Sequence, residues 1–181
     1  MDLETRLRVT SDLICTCVRN AAYYHSGWKG PRELINDKSD FWVNLNGNCL
    51  DISILAWCSL YGDRNAEFKW QKLINNEADF LSRLYATMDS TEVEFAQYIE
   101  RMRLYRDKCV AHRDSYLVGD PKIIYPSLEE AVKSASFLYR ELVDVYPEME
   151  EIYAYKELES FYANRLKMGL KHYKESISTE T

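Results

Sequence analysis

Apolar residues recur along most of this chain at the spacing of amphipathic helices. Leu3, Leu7, Thr10, Ile14, Cys17, Val18 and Ala21 share one narrow stripe, which predicts a helix over roughly residues 2 to 26. Gly27, Gly30 and Pro31 then supply turn chemistry that ends it. Trp42, Leu45, Cys49, Ile52 and Ala56 form one apolar face of a second helix, and Leu50, Ile54, Trp57 and Tyr61 form another. Two apolar faces predict a central helix, closed at Tyr61-Gly62-Asp63. Phe68, Leu73 and Ile74, then Phe80, Leu81, Leu84, Tyr85 and Met88, predict one or two small helices.

Two helix starts can be read directly. Thr91 with Glu94 has the form of a capping box and opens a helix to about residue 112, and Ser127 with Glu130 repeats the signal. From there Leu128, Val132, Ala135, Tyr139, Leu142 and Tyr146 keep helical spacing until Pro147 interrupts it, and a last helix is expected from Glu148 to about Tyr173. Periodicity fails between residues 114 and 126, where Gly119-Asp120-Pro121 separates two short apolar runs. A long loop or small hairpin is expected there, of a length that often faces a partner. The reading is one all-α domain over residues 1–175, an up-and-down bundle of about five main helices, with residues 176–181 as a frayed tail.

Composition narrows the possibilities. With 181 residues and 46% hydrophobic content the chain can build one real core, while six glycines and four prolines leave few tight turns. No window of 18 apolar residues occurs and the start, Met1-Asp2-Leu3-Glu4, is not a secretory leader, so a cytoplasmic protein without a membrane partner is expected. The net charge of -6 disfavours nonspecific binding along a duplex. The five cysteines are odd in number and form no Cys-x-x-Cys pair, so they read as reduced core residues. His25 and His172 lack metal-ligand spacing, and no metal or cofactor is expected. Phosphate-loop, dinucleotide and nucleophile-elbow motifs are absent from the sequence.

One residue breaks the pattern. On the helix opening at Thr91, the residues Phe95, Tyr98, Ile99, Met102, Tyr105 and Cys109 share an apolar stripe, and Arg106 falls inside it. A permanent cation on a packed face needs an acid, a phosphate or an open cleft. His112 lies about 120° from Arg106 around a regular helix, so either the helix end bends or a second copy completes a site. Arg101, Arg103, Arg106, Lys108 and Arg113 make this stretch basic within an acidic chain.

The string Arg106-Asp107-Lys108-Cys109-Val110-Ala111-His112 resembles the Arg-x(4–6)-His motif of HEPN domains, nearest to the abortive-infection kind. The likeness in fold covers about residues 2 to 146, with the residue-level match confined to the motif. The resemblance implies a homodimer whose two Arg/His helices meet near the symmetry axis and form a composite ribonuclease site, in phage defence or a toxin–antitoxin system with an antitoxin protein as partner. A neutral imidazole can take a proton from an RNA 2′-hydroxyl while an arginine stabilises charge on the attacked phosphate, with no metal required. In these terms His112 is the general base or acid, Arg106 binds the scissile phosphate and Asp107 orients one of them. Arg103, Lys108 and Arg113 add attraction for RNA. One departure stands out: nucleotidyltransferase-controlled HEPN toxins carry a tyrosine two residues after the histidine, where this chain has Asp114, with Tyr116 next.

The alternative is a noncatalytic interaction module in which Arg106 pairs with an acid of a neighbouring helix and His112 caps carbonyls. Asp51 either sits between the apolar faces of its helix or pairs with Arg106, and Asp40 caps that helix. Tyr139, Tyr146 and Tyr153, with Tyr155 and Tyr162, form either core or an aromatic surface for bases or a partner.

Overall fold

The computed structural model describes residues 1–29, 32–33, 39–63, 65–111, 125–153, 155 and 157–178. Its six α-helices are α1 (Leu3–Ser26), α2 (Asp40–Trp57), α3 (Glu77–Met88), α4 (Glu92–Tyr105), α5 (Leu128–Val145) and α6 (Leu158–Ser178). The fold is an all-α helical bundle. After α1, the two-residue strands β1 (Trp28–Lys29) and β2 (Arg32–Glu33) pair antiparallel. One hydrophobic cluster draws residues from all six helices, including Leu7, Trp57, Leu84, Met102, Leu138 and Phe161.

Local chemistry sets most of the boundaries. Asp2 caps α1 by accepting from the Thr5 amide at 2.7 Å, and Gly27 closes it. Asn76 caps α3, which ends at Asp89 in the left-handed region (φ 51°). The capping box at Thr91 and Glu94 is present in both directions. Ser127 caps α5 through the Glu129 amide, one position earlier than a capping box would use. α2 begins at Asp40 with Ser39 as its N-cap, so Asp40 contributes a first-turn charge and not the cap.

The packing corrects three expectations. The central helix is α1, which packs against α2, α5 and α6. α2 buries one face (Cys49, Leu50, Ile54, Trp57) and leaves Leu45 and Ile52 exposed, because spacing reveals that a face is apolar and not that anything covers it. The last helix starts at Leu158, not Glu148: Pro147 opens a 3-10 turn through Ile152 in which Met149 leaves helical geometry. Tyrosine hydroxyls hold this stretch to α5, with Tyr153 donating to the Leu142 carbonyl and Tyr139 to the Tyr155 carbonyl. At the other end α6 runs through Ser178, past the expected start of a frayed tail, with Ser176 buried.

The tyrosine series packs against the core, with Tyr139 buried and Tyr146, Tyr153, Tyr155 and Tyr162 half-buried. Tyr146 donates to the Leu73 carbonyl, Tyr61 to Ser134 and Tyr98 to Ser127, each at 2.7 or 2.8 Å, and Tyr162 bonds His25 Nδ1 at 2.7 Å between α6 and α1. Burial lowers the His25 pKa from its usual value. Burial also raises the phenol pKa values of Tyr61, Tyr98, Tyr139 and Tyr146, and pushes Tyr153 up to about 12. The folded chain keeps these protons when the unfolded chain, titrating near pH 10, has released them. Stability is thus expected to hold up to about pH 10 and to fall steeply above it. A phenolate absorbance titration should show most tyrosines ionising together with loss of helix; independent ionisation before unfolding would contradict this.

A second prediction concerns the contact of α1 with α6. A Cβ added at Gly169 would lie 2.8 Å from Ser26 Cβ and closer still to its hydroxyl. Gly169→Ala should destabilise the fold by about 1–3 kcal/mol despite the better helix propensity of alanine. Thermal melts with and without Ser26→Ala check this: the second change should recover part of the loss, because it removes the hydroxyl and leaves the Cβ contact.

Candidate functional site

The capping box at Thr91 fixes the phase of α4 so that Phe95, Tyr98, Met102 and Tyr105 point inward. They close on the end of α2, where Trp57 lies 5.1 Å from the Tyr98 ring and Tyr61 lies 5.7 Å from Phe95. Arg106 is the next position on this face. There the hydrogen bonding changes: Arg106–Ala111 form a π-helical turn that continues α4, and Cys58–Gly62 form another that continues α2. Such wide turns make up well under 1% of residues in globular proteins.

The two π turns are joined by arginines. Arg103 Nε donates to the Gly62 carbonyl, and its Nη1 pairs with Glu100 at 2.6 Å. Arg106 Nη1 pairs with Asp63, immediately after the α2 turn, while its Nε bonds Asp107 at 2.8 Å. The Arg106 side chain is 18% exposed. Burial by itself would lower its pKa; the bonds to Asp107 and Asp63 outweigh burial and raise it, so the cation is secure at any working pH. Burial pushes the neighbouring Cys58 thiol up to about 12, against the pull of Arg106, and makes it an unreactive neutral group.

At the position just before Arg106, the Tyr105 hydroxyl donates to Asp51 at 2.9 Å, and its ring meets Tyr125 at 5.6 Å. Burial, followed by the nearby Asp51 carboxylate, raises the Tyr105 pKa, so Tyr105 remains a donor. Cys109 is half-buried on the same turn, and Lys108 and Asp107 are exposed.

Of the residues singled out from sequence, the structure thus brings Arg103, Arg106 and Asp107 to one place, with Lys108 beside them. His112, Arg113 and Asp114, together with the run to residue 124, lie outside the described residues. Arg103 faces Gly62 and Glu100, which turns part of its charge inward. Asp51, named as one candidate partner of Arg106, bonds Tyr105; the partner across the helices is Asp63. Sequence reasoning missed that role, although Asp63 stands in the Tyr61-Gly62-Asp63 string that ends α2. Its only signal was that a cation in an apolar stripe requires an acid somewhere.

Other features fit less chemistry. His172 is exposed, with Nδ1 3.4 Å from Glu175. An apolar cleft of about 230 Å³ between α1, α2 and α6 is lined by Tyr23, Trp42, Leu45, Cys49, Met168 and Tyr173, none of them in the motif. Among the described residues no group of three or more His, Cys, Asp or Glu side chains is placed to hold a metal ion, and no helix is long and apolar enough to cross a membrane. No family model, curated protein or solved structure matches the chain.

Proposed function

We propose that this chain is a HEPN-like, metal-independent endoribonuclease, or a degenerate relative of one. It acts as a cytoplasmic homodimer in phage defence or a toxin–antitoxin system, with RNA as substrate and an antitoxin protein as partner. The observation that carries the reading is the position of Arg106. The first residue of the motif marks where α4 widens into a π turn, against a second π turn from α2. Wide turns of this kind are frequent at functional sites.

Asp63 and Asp107 hold the guanidinium at Nη1 and Nε, which fixes its plane before a substrate arrives. His112 takes the proton from a 2′-hydroxyl, the 2′-oxygen attacks the adjacent phosphorus, and the 5′-oxygen leaves with a proton returned to it. The products are a 2′,3′-cyclic phosphate and a 5′-hydroxyl. Arg106 stabilises the added charge on the five-coordinate phosphate, and Arg103, Lys108 and Arg113 draw the RNA backbone toward an otherwise acidic molecule.

The same contacts favour a second reading. Two carboxylates on one guanidinium leave a local charge that does not attract phosphate, and they suit a noncatalytic interaction module in which Arg106 ties α4 to the end of α2. The deciding experiment is cleavage of total RNA by the parent chain and by His112→Ala without added metal. The ribonuclease reading expects cleavage to fall by about 10²–10⁴-fold in the variant. Equal cleavage by both, or none by the parent, leaves the module.

A further inference from the structure

A cavity of about 290 Å³ lies where the end of α3 meets α4 and the first turn of α5, and none of its lining residues belongs to the motif that starts at Arg106. Met88, Phe95 and Tyr98 give it an apolar wall, while Arg101 and Glu130 bring one charge of each sign. Among the described residues neither charge forms an ion pair. Arg101 lies over the Tyr98 ring, 5.7 Å from its centroid, and one carboxylate oxygen of Glu130 is buried with no hydrogen-bond partner. Tyr98 ties both charges to the fold: its ring carries the guanidinium, and its hydroxyl donates at 2.7 Å to Ser127, the N-cap of the turn on which Glu130 stands. A carboxylate oxygen taken out of water without a donor is costly, so this one calls for a donor that arrives from outside.

The two charges select the ligand. An anion would satisfy Arg101 and leave Glu130 opposing it, with Asp89 and Glu94 on the rim adding repulsion. A simple cation would satisfy Glu130 and leave Arg101 opposing it. A zwitterion with its ammonium and carboxylate on one carbon answers both, through two charge-assisted contacts. Glu94 is already engaged in the capping box with Thr91, which leaves Glu130 as the acceptor inside. The volume stands at the small end for ligand sites, so the zwitterion is a small molecule. We propose that this cavity binds a free α-amino acid with an apolar side chain. Its ammonium donates to Glu130, its carboxylate meets Arg101, and its side chain packs on Met88 and Phe95. The proposal needs neither RNA nor a second copy of the chain and does not rest on the ribonuclease reading.

The test is isothermal titration calorimetry of the full chain without RNA, using two sets of probes. One set is L-leucine with isoamylamine, which lacks the carboxylate, and isocaproate, which lacks the ammonium. The other is L-phenylalanine with phenethylamine and hydrocinnamate. In at least one set the amino acid should bind at a single site with a Kd at or below about 1 mM. Both of its truncated forms should bind at least about tenfold more weakly, each having lost one contact to a charged group. Arg101→Gln should weaken the amino acid at least about tenfold and leave the amine no weaker, whereas Glu130→Gln should weaken both and spare the acid. Arg101 is exposed, so its variant keeps the fold and decides the matter even where Glu130→Gln does not fold. Failure of both amino acids to bind at millimolar concentration overturns the proposal. So does a truncated form that binds as tightly as its amino acid, or an Arg101→Gln chain that binds as the parent does.

Discussion

Trp57→Ala should cost about 3–5 kcal/mol of folding stability, the range for truncating a large buried aromatic. Trp57 is fully buried where α2, α4 and α5 meet. Its ring stacks on Tyr61 at 5.2 Å and meets Tyr98 and Phe95 edge-on at 5.1 and 6.3 Å, so removal opens a cavity among side chains that cannot close on it. Its indole N–H donates to the Ser134 hydroxyl at 2.9 Å, and that hydroxyl donates onward to the Glu130 carbonyl. Trp57→Phe keeps most of the ring contact and removes the donor without stranding Ser134, so its cost should be well below that of alanine. Denaturant unfolding of the three chains measures both numbers. Equal loss in the two variants would mean that the hydrogen bond, and not the packing, carries the site.

Replacement of Arg106 should have the largest effect on function, and it separates the two readings of the motif. If Arg106 meets the scissile phosphate, Arg106→Ala should lower RNA cleavage by about 10²–10³-fold, the usual effect of removing a donor aimed at developing charge. Arg106→Lys should restore little, because an ammonium cannot keep two carboxylates and a phosphate in one plane. Asp63→Asn then discriminates further. In the ribonuclease it loosens a positioning contact while the cation remains, so cleavage should fall less than in Arg106→Ala. In the noncatalytic tie, Asp63→Asn and Arg106→Ala should lower the melting temperature by similar amounts, and neither should change the fate of RNA. Cleavage and melting curves on the same three variants decide the matter.

Much of the fold was legible because its signals are local. The stripe from Leu3 to Ala21, the capping box at Thr91 and the break at Pro147 each act within one or two helical turns, and the structure puts helix ends within a few residues of them. The errors come from long-range contacts. Glu148 looked like a helix start because nothing nearby shows that Tyr139 and Tyr153 reach across to main-chain carbonyls and hold the segment away from helical geometry. Ile52 and Leu45 looked like core because an apolar face reads the same whether it is covered or bare. At the candidate site, Arg106 was visible as a misplaced charge, whereas Asp63 lies 43 positions away and becomes its partner only when α4 folds against the end of α2. The change from α to π bonding at Arg106 leaves no mark in a hydrophobic pattern, since both helix types bury the same kinds of residue.

That change in winding gives the end of α4 a form of gearing. A π turn closes its hydrogen bonds over five residues where an α turn uses four, so the stretch from Arg106 to Ala111 carries slack that a regular helix lacks. Converting it to α pitch would swing whatever follows by roughly 100°, one residue's worth of rotation, and leave the upstream seam from Phe95 to Tyr105 seated as it is.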